Sequence, residues 1–171
     1  GYTRDYDVEQ HYRDNRLNPI HEGTHGIHGL DLLGRKVTMQ GGAGLRLLAT
    51  TIRSTVDRAY LAGGEPAALA ADLGIAVARL ESTTAALWAG GDPELALANA
   101  TVYLEATGHV VVAWLWLEQM LAAGDGTGDF YQGKRAAARW FFRFELPKTG
   151  PQWDLLASLD RTTLDMWSNW F

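Results

Sequence analysis

A chain of 171 residues, 47% of them hydrophobic, can bury the core of one domain or one and a half, and its lack of cysteine excludes disulfides, iron–sulfur clusters, Cys-ligated zinc and thiol nucleophiles. A net charge of −5 and a pI near 5.5 leave no electrostatic case for nucleic acid or an anionic membrane surface. The longest purely apolar run, Val110 to Leu117, is far short of the roughly 20 residues that span a bilayer, so no membrane insertion and a cytoplasmic location are expected.

The pattern is helical nearly throughout. Asp5 can cap a helix that runs to about Arg16, and Leu17-Asn18-Pro19 breaks it. A second helix starts near Glu22 and runs to about Met39, with Gly41-Gly42 as the best candidate boundary. Further helices are predicted at about 42–62, 66–89, 93–123 and 128–145, punctuated by Gly63-Gly64, Gly90-Gly91-Asp92-Pro93 and Gly124-Asp125-Gly126. Asp92 before Pro93 is a good N-cap followed by a proline at the first helical position. The Pro147-to-Pro151 segment reads as a turn before one or two short helices that end in Met166-Trp167-Ser168-Asn169-Trp170-Phe171.

Apolar residues recur at three- and four-residue steps: Leu45, Leu48, Ile52 and Val56, then Leu69, Leu73, Val77, Leu80 and Leu87. Strand-like alternation is almost absent, so the fold class expected is all-α, an antiparallel helical bundle with short turns. The first 40 residues are polar and cannot make a core alone, and Gly1 begins without a lead-in element. A piece of something larger is expected.

One segment carries chemistry. His21-Glu22-Gly23-Thr24-His25 is a literal HExxH, in which two histidines one helical turn apart hold zinc and the glutamate activates the metal-bound water. Three features oppose that reading. Asn18 and Pro19 put His21 at the very start of the helix; Gly23, Gly26 and Gly29 lower helix propensity; and the extended metzincin pattern wants Gly at 28 and His at 31, where this chain has His28 and Asp31. The expectation is therefore no metal, with a zinc hydrolase kept as the remote alternative.

The flanks tell more. Gly1-Tyr2-Thr3-Arg4, Val8-Glu9-Gln10, Tyr12-Arg13-Asp14 and Ile20-His21-Glu22-Gly23-Thr24 follow one another in an order and spacing that resemble the acyl-CoA dehydrogenases, a flavoprotein family. Gly29-Leu30-Asp31-Leu32-Leu33-Gly34-Arg35-Lys36 resembles the longer members with an extra C-terminal helical domain, the branch that includes enzymes of methylmercaptopropionyl-CoA and related thioesters. Downstream, Gly108-His109-Val110-Val111, Trp114-Leu115-Trp116-Leu117, Phe130-Tyr131 and Ala138-Arg139-Trp140-Phe141-Phe142 are similar to that extra domain, so the likeness covers essentially the whole chain.

The resemblance implies a division and a site. Residues 1–40 would end the catalytic helical domain, and residues 41–171 would form the additional helical domain. It implies an FAD-dependent oxidation of acyl-CoA to the 2,3-enoyl-CoA, with Glu22 as the base that takes the α-proton while a hydride leaves the β-carbon. The glutamate's backbone N–H would help polarise the thioester carbonyl, a role that suits an unpaired donor at a helix N-terminus. Gly23 would admit substrate to the backbone, and Thr24, His25 and Gly26 would lie against the flavin nucleotide. Partners implied are an electron-transfer flavoprotein or similar acceptor and further copies in a homo-oligomer. Most of the FAD site would lie upstream, so the chain alone is expected to be inactive.

One departure stands out: His21 occupies a position that is usually Tyr in the family. An imidazole there either alters the base or fills the same space, and filling is the preferred reading. The ordinary reading of Glu22 is a first-turn glutamate favoured by the helix dipole. His109 reads as a hydrogen-bonded core histidine, the Arg135-Arg139-Arg143 stripe as a solvated or ion-paired face, and Trp167 and Trp170 as docked on the bundle or on a neighbouring subunit. The non-enzymatic alternative is a helical docking or dimerisation module.

Overall fold

The structure, a computed structural model, describes residues 3–18 and 24–170, and these fold as helices with no strand among them. Helix α1 (Glu9–Arg16) buries no residue. It begins later than expected. Asp5 does not cap it, because its carboxylate accepts a hydrogen bond from the Thr3 hydroxyl instead (2.9 Å).

Helix α2 (Thr24–Asp31) continues into a π-helical turn, Leu32–Lys36, closed by the Val37 N–H donating to the Leu32 carbonyl at 3.0 Å. This wider turn keeps both Leu33 and Val37 on the buried side. Helix α3 (Met39–Ala62) opens with Gln40, Gly41 and Gly42 at left-handed φ of 52°, 62° and 84°, so a sharp bend falls at the glycine pair. Gly63, at φ 73°, then ends α3 and starts α4 (Gly64–Ala89), making a helical hairpin with almost no loop.

Asp92 caps α5 (Pro93–Leu97) as its sequence predicts, accepting from the N–H groups of Glu94 (3.0 Å) and Leu95 (3.2 Å). The single helix expected over 93–123 is in fact two. Asn99 leaves helical geometry and donates to the Asp160 carbonyl at 2.9 Å, while Thr163 donates to the Ala98 carbonyl at 3.2 Å. A C-terminal segment about 60 residues away thus holds the break open.

Helix α6 (Ala100–Ala123) is the centre of the bundle and touches α2, α3, α4, α7 and α8, this last spanning Thr149–Ala157. It is the one described helix long and apolar enough to cross a membrane by length and composition. Its central place accounts for that composition: Tyr103, Ala106, Val110, Ala113, Leu117 and Met120 are buried at helical spacing. The 124–128 loop follows as expected, and α7 (Asp129–Trp140) runs back along α6 into a second π-turn, Phe141–Glu145. Lys134 beside Gln119 (2.8 Å) and Glu145 beside His109 (3.6 Å) show the antiparallel pairing.

A correction concerns 147–151. Rather than a loop, it holds the 3-10 turn Leu146–Lys148 and the first residues of α8. Pro147 and Pro151 sit in first turns, where their missing N–H groups would have no intrahelical partner, so both prolines are tolerated. Trp153 of α8 is fully buried and meets Tyr103 edge-on, ring centres 6.0 Å apart. Trp167 and Trp170, by contrast, are 66% and 65% exposed and do not dock on the bundle.

Leu33 and Val37 share one core with Ile52, Leu73, Leu80, Tyr103, Leu117 and Leu156. The segment after Thr24 is therefore built on the bundle. At the surface, Arg53–Glu81 ties α3 to α4, Arg79–Asp154 ties α4 to α8, and Arg139–Glu65 ties α7 to α4. Such exposed pairs fix register more than they stabilise.

Candidate functional site

Of the residues singled out by sequence, His21, Glu22 and Gly23 lie outside the described residues. Thr24, His25 and Gly26 form the first turn of α2. Thr24 is half-buried and His25 exposed, and His25 shares a cavity of about 210 Å³ with Thr101, Val102, Leu104 and Glu105 of α6. Gly26 differs: a Cβ built there would meet no atom within 4 Å, so the backbone has open space beside it. The first backbone N–H groups of a helix lack intrahelical acceptors, and the dipole favours negative charge nearby.

Gly29, one turn on, is the opposite case. It is the one buried residue of α2, and a Cβ there would lie 2.7 Å from the Ala100 carbonyl oxygen and 3.0 Å from the Thr101 nitrogen. Sequence reasoning treats Gly23, Gly26 and Gly29 as a weakness in the helix. For Gly29 the structure supplies a packing reason, which the three-residue glycine rhythm hints at but cannot specify. Beyond it, the Asp31 carboxyl is held below its ordinary value by a hydrogen bond from Arg35, an exposed i,i+4 pair.

His28 is exposed, and among the described residues no group of three His, Asp or Glu side chains is placed to hold a metal ion. His109 is half-buried against the Phe141 ring, with Nδ1 2.9 Å from the Glu105 carbonyl and Nε2 3.6 Å from Glu145. The Glu145 carboxyl, held mainly by Lys148 and also by His109, lies below its ordinary range.

The arginine stripe has two roles. Arg139 pairs with Glu65, whereas Arg135 donates to the carbonyls of Gly124 (2.7 Å) and Gly126 (2.8 Å) at the end of α6. A larger cavity, about 700 Å³, opens between α4 and α8 on an apolar floor that includes Phe142 and Trp153, rimmed by Arg79, Arg139 and Arg143. None of its lining residues belongs to α2.

The family described as "Acetyl-CoA dehydrogenase C-terminal like" matches residues 48–167. The chain is 36% identical over 149 residues to the 3-methylmercaptopropionyl-CoA dehydrogenase of Ruegeria pomeroyi, covering 82% of this chain and 25% of that protein. It is 27% identical to the broad-specificity linear acyl-CoA dehydrogenase FadE5 of Mycobacterium tuberculosis, over 97% of this chain and 30% of that protein. The likeness to the butyryl-CoA dehydrogenase of Syntrophomonas wolfei is 26%, over 97% of this chain and 29% of that protein. The chain therefore spans between a quarter and a third of the length of these curated relatives. The resemblance seen in the motifs and the match over the bundle agree: this chain belongs to the acyl-CoA dehydrogenase family and represents its C-terminal helical part.

Proposed function

We propose that the chain supplies the catalytic base and the extra helical domain of an FAD-dependent acyl-CoA dehydrogenase, an enzyme that oxidises an acyl-CoA to its 2,3-enoyl-CoA. Residues 1–40 end the catalytic helical domain, and 41–171 form the additional one; Leu33 and Val37 tie the end of the first to the core of the second. The observation that carries the reading is the 36% identity, over 82% of the chain, to the 3-methylmercaptopropionyl-CoA dehydrogenase of Ruegeria pomeroyi.

In this reading Glu22 takes the α-proton of the thioester, and its backbone N–H donates to the carbonyl as negative charge develops there. Gly23 lets that carbonyl come close to the chain. Thr24, His25 and Gly26 would hold the flavin nucleotide, and a Cβ built on Gly26 meets no atom within 4 Å, so nothing described blocks that side of the helix. Bound FAD supplies the hydride acceptor. An electron-transfer flavoprotein or similar acceptor would be the redox partner, and the working enzyme is a cytoplasmic homo-oligomer. Alone, this chain has a base without an active site around it and is inactive. Anaerobic flavin reduction by a Glu22→Gln variant of the complete enzyme tests the assignment, and an unchanged rate would move the base elsewhere.

A further inference from the structure

A four-residue step runs along α2 and the π-turn: the exposed His25 borders a cavity with α6, Gly29 touches the α6 backbone, and Leu33 and Val37 enter the core. Two residues before Thr24 in the sequence comes Glu22. We propose that Gly29 is a positioning residue, through which the first turn of α6 sets the place of the α2 N-terminus and hence of the base.

The geometry at Gly29 is restrictive. The atoms that a Cβ would strike are the Ala100 carbonyl carbon and oxygen at 2.8 and 2.7 Å and the Thr101 nitrogen at 3.0 Å, all backbone of the central helix. A side chain can rotate away, but a helix backbone packed on several sides cannot. An added methyl must therefore lift α2, pivoting about the fully buried Leu33, and displacement then grows toward Thr24. Gly34 is the contrasting case: its nearest neighbour is the tip of the Leu97 side chain at 3.4 Å, which can give way. The additional helical domain thus acts on catalysis at a distance by holding one glycine. This inference rests on Glu22 being the base, but its first test does not.

Hydrogen exchange on this chain is the first measurement. In Gly29→Ala, the amides of α2 exchange faster by about tenfold or more, while those of α4 and the middle of α6 keep their protection. Unchanged α2 exchange, or protection lost throughout the bundle, would overturn the positioning role.

In the complete FAD-containing enzyme, Gly29→Ala lowers the rate of flavin reduction by about tenfold or more, because a misplaced base costs rate steeply. The rate is read at saturating FAD and acyl-CoA, so that weakened binding at the start of α2 does not enter it, and Gly34→Ala leaves it unchanged. A wild-type saturated rate in Gly29→Ala with a loosened α2 would sink the proposal. The identity of the base is judged separately by Glu22→Gln. If that variant reduces its flavin normally, the reading of Glu22 fails whatever Gly29→Ala does.

Discussion

The indole N–H of Trp114 on α6 donates to the hydroxyl of Thr55 on α3 at 2.8 Å, and that hydroxyl in turn donates to the carboxylate of Glu118, one turn from Trp114. Arg58, one turn from Thr55, closes the set by donating to the same carboxylate. Two residues from each helix therefore form one polar joint across an otherwise apolar interface. Thr55 is its hub and is 1% exposed.

Thr55→Val keeps the shape of the side chain but removes the hydroxyl that accepts from the indole N–H and donates to Glu118, leaving the indole only that carboxylate as acceptor. The expected loss is about 1–3 kcal/mol, the scale of a stranded buried polar group. Trp114→Phe removes only the donor and should cost less of the polar term, though it also gives up packing. Urea denaturation of the two variants checks the order. Equal stability of Thr55→Val and wild type would show that the joint contributes nothing.

The same joint predicts a pH dependence. Burial raises the Glu118 carboxyl, but hydrogen bonds from Thr55 and Arg58, together with the guanidinium charge, outweigh it and hold the group below its ordinary 4.5. A carboxyl lowered on folding contributes stability above its unfolded value and loses it as pH falls through the folded one. Glu118→Gln should therefore be less stable than wild type at neutral pH, with the gap narrowing below about pH 4.5. Urea midpoints at neutral and acid pH measure it. A gap that widens in acid would reverse the sign and refute the account.

The α6–α7 loop makes a second joint. Arg135 donates to two of its carbonyls, and a Cβ on Gly126 would fall 2.8 Å from both the Ala123 carbonyl oxygen and the Tyr131 ring. Gly126→Ala should destabilise by about 1–3 kcal/mol. Arg135→Gln loses the paired contacts and should cost about 1 kcal/mol or more. Because both act on the same loop, their effects should fall short of additive in a double-mutant cycle. Strict additivity would mean that the loop is not the shared element.

Neither joint is legible in the sequence, whereas the helices they connect are. Punctuation by glycine and proline locates the helices well: Gly63, Asp92-Pro93 and the Gly124 loop all fall where the chain turns. The Ile52-Val56 and Leu73-Val77-Leu80 steps also mark faces that are buried. What escapes is anything decided by distant partners. The break at Asn99 depends on Asp160 and Thr163, and no local pattern around 93–123 reveals it. The start of α8 is hidden because prolines can either stop a helix or occupy its first turn. At the candidate site, the role proposed for Glu22 rests on its flanking motifs alone, whereas the close packing of Gly29 needs the position of Ala100.

Glu22 itself gives the decisive functional test. In the complete enzyme, Glu22→Gln keeps the size and hydrogen-bonding capacity of the side chain but cannot accept the α-proton. FAD and acyl-CoA should still bind, because neither needs the carboxylate's proton affinity. Flavin reduction should fall by at least about two orders of magnitude, the usual scale for a lost general base. Glu22→Asp retains the carboxylate one methylene short, so its rate should lie between the two. Anaerobic mixing with acyl-CoA, followed by loss of flavin absorbance, reads the chemical step directly. The order wild type, then Asp, then Gln is expected only of a proton acceptor. A side chain that merely held substrate would instead raise KM and leave the saturated rate of bleaching unchanged.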